Sequence, residues 1–225
     1  MIKSLIISIL IRIKIDNIHK IIFNNHYIMD QTLIKKYFNA RNTILEMFTD
    51  RGVTVPKNLI VSFDEFNIMF SKNELSILIE GAETYYIHFH KGVKNFSKKD
   101  LTTLTAKIFS EISADTRLII VSTNKVNKTL MREINSLPNS EVFILKELYF
   151  NITKHVLIPE MRLLQKEEIE TLMTKFEEGF STRQFKKILL SDPISKYYGA
   201  KREDVFEIRR INKTIGVQLD YRYVK

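Results

Sequence analysis

The chain has 225 residues, 44% hydrophobic and 27% charged, a composition suited to one large or two small globular cores. It has no cysteine, which excludes disulfides and thiolate metal sites and points to a reducing compartment. Its formal net charge of +9 favours a polyanionic partner, but the charge is spread out: residues 151–225 carry 15 basic and 11 acidic side chains, and no segment is a polybasic tail.

Residues 1–28 read unlike the rest. Isoleucine-rich runs such as Leu5–Ile11 are interrupted by Arg12 and Lys14, well short of the ~20 apolar residues of a membrane span. No small-residue cleavage site follows, as a signal peptide requires. A second methionine, Met29, precedes the first clear helix pattern. The expectation is an N-terminal extension outside the fold, which a start at Met29 would leave untranslated; a membrane-associating helix is the second reading.

The apolar residues Leu33, Tyr37, Ala40, Ile44, Leu45 and Phe48 keep helical spacing, and Arg51-Gly52 ends that helix. Ser62-Phe63-Asp64-Glu65 has capping-box form, so a short helix through Phe66 and Phe70 should follow. Leu75–Ile79 and Thr84–His90 read as strands, with Gly81 in the turn between them. Ser97 to Asp100 caps a helix whose buried stripe is Leu101, Leu104, Ile108 and Ile112. Leu118–Val121 is an unbroken apolar run, as in a strand buried on both faces. A helix over 124–137 and strands over 141–145 and 148–152 complete the first half. This alternation predicts an α/β domain with some parallel pairing over residues 29–150. Residues 151–225 form a smaller mixed α/β domain, with a helix over 167–176, a further apolar stripe at Phe185, Ile188 and Leu189, and a closing hairpin. No internal repeat or flexible linker separates the halves.

The C-terminal block is the most specific stretch. Asp192 can cap a short helix opening at Pro193, whose missing N–H is harmless there. Ile194, Tyr197 and Tyr198 share one side, Gly199 can stop the helix in a left-handed conformation, and Lys201-Arg202 sit in the turn. Strands at 204–210 and 217–223 follow, with Phe206 and Ile208 facing opposite to Glu207 and Arg209. This block resembles the C-terminal domain of the fifth subunit of eukaryotic RNA polymerases, whose archaeal counterpart consists of that domain alone. The matching residues are Asp192, Pro193, Tyr197, Tyr198, Gly199, Lys201, Arg202, Ile208, Arg209, Tyr221 and Arg222, with the upstream signature Asn151-Ile152-Thr153-Lys154-His155 and then Pro159. Two features depart from the family pattern: Glu203 stands where it usually has Gly, and Asn212-Lys213-Thr214 stands where it has Ser-Glu-Thr. The N-terminal half resembles the family's jaw domain in element order and in the helix-ending Asp50-Arg51-Gly52.

The resemblance implies a nuclease-like α/β jaw without nuclease activity, joined to an assembly domain. It implies a non-catalytic subunit that docks on the largest polymerase subunit through His155, Pro159, Asp192, Pro193, Tyr197, Tyr198, Gly199, Lys201, Arg202, Arg209, Tyr221 and Arg222. It also implies that the lower jaw steadies downstream duplex DNA. Lys125, Lys128 and Arg132 cluster where the family's strand–helix junction faces that DNA, although the usual Thr-Pro-Ser-Ala is absent; cations there can follow phosphates without reading bases, and a solvated basic face is the bland alternative. No cofactor, metal, membrane association or homo-oligomer is expected. The implied location is the nucleus for a cellular protein, or host cytoplasm and virion for a large DNA virus.

Two other classes remain in view, a nuclease using the N-terminal fold and a free-standing DNA-binding protein. A metal nuclease needs an acid-x-Lys spacing at a strand end; Glu80, Glu83 and Asp115 lack it. His88 and His90 alternate on one strand, but no third ligand is evident and a solvent-facing pair is the expectation.

Overall fold

A computed structural model describes residues 31–91, 95–113, 115–137, 140–212 and 216–225. The N-terminal extension expected over 1–28 lies outside the described residues, as does the tip of the last hairpin. The first helix, α1, spans 31–50 and buries Ile34, Tyr37, Ala40, Ile44, Met47 and Phe48. Leu33 of the expected stripe is exposed, and Ile34 takes the inward place. α1 ends in a Schellman motif: Gly52 adopts φ 80, its N–H bonds Thr49 O at 3.0 Å, and Val53 N–H bonds Phe48 O at 2.9 Å. α2 (Phe63–Lys72) starts on the expected capping box, Ser62 accepting from Glu65 N–H while the Glu65 carboxylate accepts from Ser62 N–H.

The first sheet holds β1 (Ile77–Ile79), β2 (Tyr85–His90), β3 (Arg117–Ser122) and β4 (Glu141–Ile144) in the order β1-β2-β3-β4. β1 is antiparallel to β2, while β2, β3 and β4 run parallel. The parallel pairs are joined through α3 (Lys98–Glu111) and α4 (Lys128–Ser136). Both faces of the sheet are covered. Ile87, Phe89, Ile119, Val121 and Phe143 pack with Ile44, Phe48, Phe66 and Phe70 of α1 and α2. Tyr86, Leu118, Ile120 and Val142 pack with Leu101, Leu104, Leu130 and Ile134 of α3 and α4. The expected α/β architecture is therefore present, and its central strands are apolar on both sides because helices lie on both sides.

Several local expectations differ. The stretch 148–152 is not a strand; short 3-10 turns run over Leu145–Leu148 and Ile152–Lys154, because the Asn151 side chain turns the backbone by accepting from Thr153 N–H at 2.9 Å. α4 begins at Lys128 rather than near 124, since Asn127 is its cap. The helix expected to reach Phe176 ends at Met173. His88 and His90 do not form a solvent-facing pair. Both are half-buried, His90 stacks edge-on to Phe96 at 5.2 Å, and burial holds the His88 imidazole down to about 4 from 6.5, with the neighbouring His90 adding to the effect.

The C-terminal half contains β5 (Glu160–Leu163), α5 (Lys166–Met173), β6 (Lys186–Ile188), α6 (Pro193–Tyr197), β7 (Val205–Asn212) and β8 (Gly216–Val224). The sheet order is β5-β7-β8-β6, with β6 parallel to β8 and the other pairs antiparallel. Phe206, Val224 and Ile188 on one face pack with Ile194 and Ala200. Val205 on the other packs with Leu164, Leu172, Phe185 and Tyr221. Leu189, expected in an inward stripe, is 59% exposed because Lys186–Ile188 is a strand rather than part of a helix. No helix among the described residues is long and apolar enough to cross a membrane.

Candidate functional site: the joint and the C-terminal block

α6 is short because its sequence sets both ends. Asp192 Oδ1 accepts from Ile194 N–H at 2.9 Å, Pro193 occupies the first helical position, and Gly199 leaves the helix at φ 61. That glycine also permits a close approach. A Cβ placed on it would lie 3.0 Å from Arg51 Cζ, so the guanidinium at the end of α1 rests against bare backbone.

Arg51 ties the two halves together. Its Nη1 and Nη2 donate to the two carboxylate oxygens of Glu141 in β4, each at 2.8 Å. Its Nε donates to Tyr197 O at 2.8 Å, and Nη2 also to Lys196 O at 2.8 Å. Only a planar guanidinium presents donors in the fork this arrangement uses. A second network lies beside it. The Tyr197 hydroxyl donates to Asp50 Oδ2 at 2.6 Å and accepts from Asn151 Nδ2 at 2.8 Å. Asn151 Nδ2 also reaches Glu46 Oε2 at 2.9 Å, and Lys154 pairs with the other Glu46 oxygen. Burial and the Asp50 hydrogen bond raise the Tyr197 phenol well above its ordinary value. The Asn-Ile-Thr signature thus has a physical role: Asn151 caps a turn with one end of its amide and holds Tyr197 with the other.

The remaining sequence-selected residues fall into two groups. Tyr197 is buried in the joint, Tyr198 packs edge-on to Phe206 at 5.8 Å, and Tyr221 lies 5.5 Å from Phe185. Asp192, Pro193 and Gly199 shape α6. His155, Lys201, Arg202 and Arg209 are exposed. Pro159 and Arg222 are half-buried, and the Arg222 Nε is buried without a partner. Lys201 and Arg202 stand in a turn held by Asp204 Oδ2, which accepts from Lys201 N–H at 2.6 Å. The next residue, Glu203, is in the left-handed region at φ 76, the position where the family pattern has Gly.

Around His155 the surface is apolar and open: Val156 is 96% exposed, Leu157 84% and Phe150 58%. Lys125, Lys128 and Arg132 are all exposed, between the end of β3 and the first turns of α4. Glu83, one of the acids weighed for a nuclease, accepts from the Tyr85 hydroxyl at 2.5 Å and pairs with Arg117. Burial first, and that hydrogen bond second, push the Tyr85 phenol up to about 12. Among the described residues no group of three His, Asp or Glu side chains could hold a metal ion.

Sequence reasoning did not assign Arg51 or Glu141 a role. The Asp50-Arg51-Gly52 turn was visible as a helix stop, but its partners lie 90 and 146 residues away and leave no local signal.

Comparison with known proteins bears on the same block. Residues 150–224 match the family described as "RNA polymerase Rpb5, C-terminal domain". The chain is 45% identical over 75 residues to DNA-directed RNA polymerase subunit Rpo5 of Pyrococcus horikoshii, covering 33% of this chain and 89% of the archaeal one. Across both halves it is 26% identical to DNA-directed RNA polymerase V subunit 5C of Arabidopsis thaliana, covering 84% of each chain. It is 25% identical to DNA-directed RNA polymerases I, II, and III subunit RPABC1 of Caenorhabditis elegans, covering 87% of this chain and 98% of the relative. Fold and block together define a small, non-catalytic subunit class of DNA-directed RNA polymerases. Within that class, the chain belongs to the Rpb5 family.

Proposed function

We propose that this protein supports transcription as a structural subunit of a multisubunit DNA-dependent RNA polymerase, with polymerisation carried by other chains. The observation that carries this reading is the 45% identity over 89% of an archaeal polymerase subunit, beside a family match to residues 150–224, which hold α6, β7 and β8. Residues 151–225 act as the assembly domain and 29–150 as the lower jaw. The assembly domain docks on the largest subunit through its open surface. Val156 and Leu157 suit that role, because with Phe150 beside His155 they make an exposed apolar patch of the kind that marks a protein interaction site. His155, Pro159, Lys201, Arg202 and Arg209 flank or extend the surface, while Tyr197 and Gly199 support it from inside. The jaw steadies downstream duplex through phosphate contacts by Lys125, Lys128 and Arg132. In a cell the site of action is the nucleus; in a large DNA virus it is the host cytoplasm and the virion.

The test is an affinity pull-down of tagged protein from its native or infected cell, with partners identified by mass spectrometry. The large polymerase subunits should accompany the wild type and be lost from the Val156→Asp, Leu157→Asp double variant. Both positions are exposed, so the fold should persist, which thermal unfolding checks. Wild-type protein that brings down no polymerase subunit would overturn the assignment. Cleavage of DNA with Mg²⁺, abolished by Glu80→Ala, would restore the nuclease.

A further inference from the structure

A groove of about 710 Å³ runs along the joint between the halves. One wall comes from Ser140, Glu141 and Val142 at the start of β4; the other is the chain from Leu189 to Arg202, which carries α6. β4 is the edge strand of its sheet. Arg51 fixes the spacing of the walls, since it bonds Glu141 on one side and the Lys196 and Tyr197 carbonyls on the other. The groove is therefore preformed, which lowers the ordering cost of filling it.

Its lining has two chemistries. Leu189 and Leu190 are 59% and 38% exposed, an apolar pair facing solvent. The charge is one-sided. Glu141 is neutralised by Arg51, Lys196 by Glu147 and Arg117 by Glu83. Lys201, Arg202 and Lys225 are exposed, and none of these side chains has an ion-pair partner among the described residues. Three unpaired cations beside an apolar pair fit a peptide with leucine-like anchors and carboxylates. A nucleic-acid backbone asks for a longer run of cations and gains little from leucines.

We infer that this groove receives an extended acidic segment of another polymerase subunit. Its apolar side chains lie on Leu189 and Leu190, and its carboxylates face Lys201 and Arg202. The inference rests on the polymerase-subunit reading and gives Lys201 and Arg202, which that reading counts among the docking residues, a groove whose lining does not include Val156 or Leu157.

Two experiments on the full chain test it. In the first, a fluorescein-labelled peptide of alternating Leu and Glu, about ten residues long, is titrated with the protein and followed by anisotropy. Saturable binding is expected, weakened about tenfold or more by Lys201→Glu with Arg202→Glu and also by Leu190→Asp. A Leu–Lys peptide of the same length should not bind. No saturable binding, equal affinity of the variants, or the same loss seen with duplex DNA but not with the peptide would overturn the inference. In the second, a photo-cross-linking benzoylphenylalanine replaces Leu190 in the native cell. Cross-links to an acidic stretch of a polymerase subunit are expected. Recovery of the polymerase with cross-links only to DNA, or with none, overturns the groove assignment and leaves the subunit reading standing; recovery of no polymerase overturns the subunit reading itself.

Discussion

Replacing Arg51 by Ala removes four hydrogen bonds of 2.8 Å at once. The Arg51 side chain is 10% exposed and Glu141 is 30% exposed. Coulomb attraction across such a pair largely offsets the desolvation of both ions, so the pair itself adds little. The loss comes from what is left behind: a half-buried carboxylate and the Tyr197 carbonyl without donors, while the Lys196 carbonyl keeps the Gly199 N–H. Removing one partner of a fully buried pair costs about 3–5 kcal/mol. Glu141 can regain some hydration through its exposed edge, so we expect ~2–4 kcal/mol for Arg51→Ala. Arg51→Lys restores a charge but not the fork and should cost ~1–3 kcal/mol. Urea unfolding followed by tyrosine fluorescence and far-UV circular dichroism measures both, provided the two probes coincide. Gly199→Ala sharpens the test. Its φ of 61 alone costs about 1–2 kcal/mol for a residue with a Cβ. That Cβ would also sit 3.0 Å from Arg51 Cζ and displace the guanidinium. In the Arg51→Ala background only the backbone part remains, so the two substitutions should be less than additive by ~1 kcal/mol or more. Strict additivity, or a loss below about 1 kcal/mol for Arg51→Ala, would refute the view that Arg51 holds the joint.

Three further outcomes are expected. His88 has its imidazole held near 4 against 6.5, so the unfolded chain binds the proton first as pH falls; stability present above about pH 6.5 is lost down to about pH 4, and between pH 7 and 5 the wild type should lose ~2 kcal/mol more than His88→Phe in urea titrations. Glu203→Gly relieves a left-handed residue and gives up an exposed pair with Arg183; the gain should be ~0.5 kcal/mol, read as a rise in the unfolding midpoint, and a fall in the midpoint would contradict it. Tyr197→Phe leaves the Asp50 carboxylate without this donor and Asn151 Nδ2 with Glu46 alone; a loss of ~1–3 kcal/mol in thermal unfolding is expected, and Asn151→Ala in the same background should add less than it does in the wild type.

Much of the architecture was legible in local patterns. The capping boxes at Ser62 and Ser97, the Asp192-Pro193 helix start and the left-handed Gly199 all depend on residues within four positions of one another, and each appears where the sequence puts it. The run Leu118–Val121 implied burial on both faces, and both faces are covered. The failures have separate causes. His88 and Tyr86 look like an outward face of an alternating strand, yet α3 and α4 cover that face, which alternation within β2 could not reveal. The 148–152 stretch has a strand's composition, but the Asn151 side chain outcompetes ladder pairing for the local N–H groups. The joint was the least legible feature, because Arg51, Glu141 and Tyr197 meet only once two sheets have formed.

The hollow at Gly199 has a consequence for chains of a different length. The archaeal relative is matched over 89% of its length by 75 residues of this chain, so it has no room for a counterpart of α1. In this protein, the stretch from 150 onward taken alone would present a socket: the free Tyr197 carbonyl, a phenol without its acid, and a patch of bare backbone at Gly199. In the whole chain Arg51 plugs that socket, and Asp50 and Glu46 from the same helix supply the acids beside it. A Cβ at 199 would press on that plug, 3.0 Å from Arg51 Cζ, so the absence of one Cβ eases the seating of the added half.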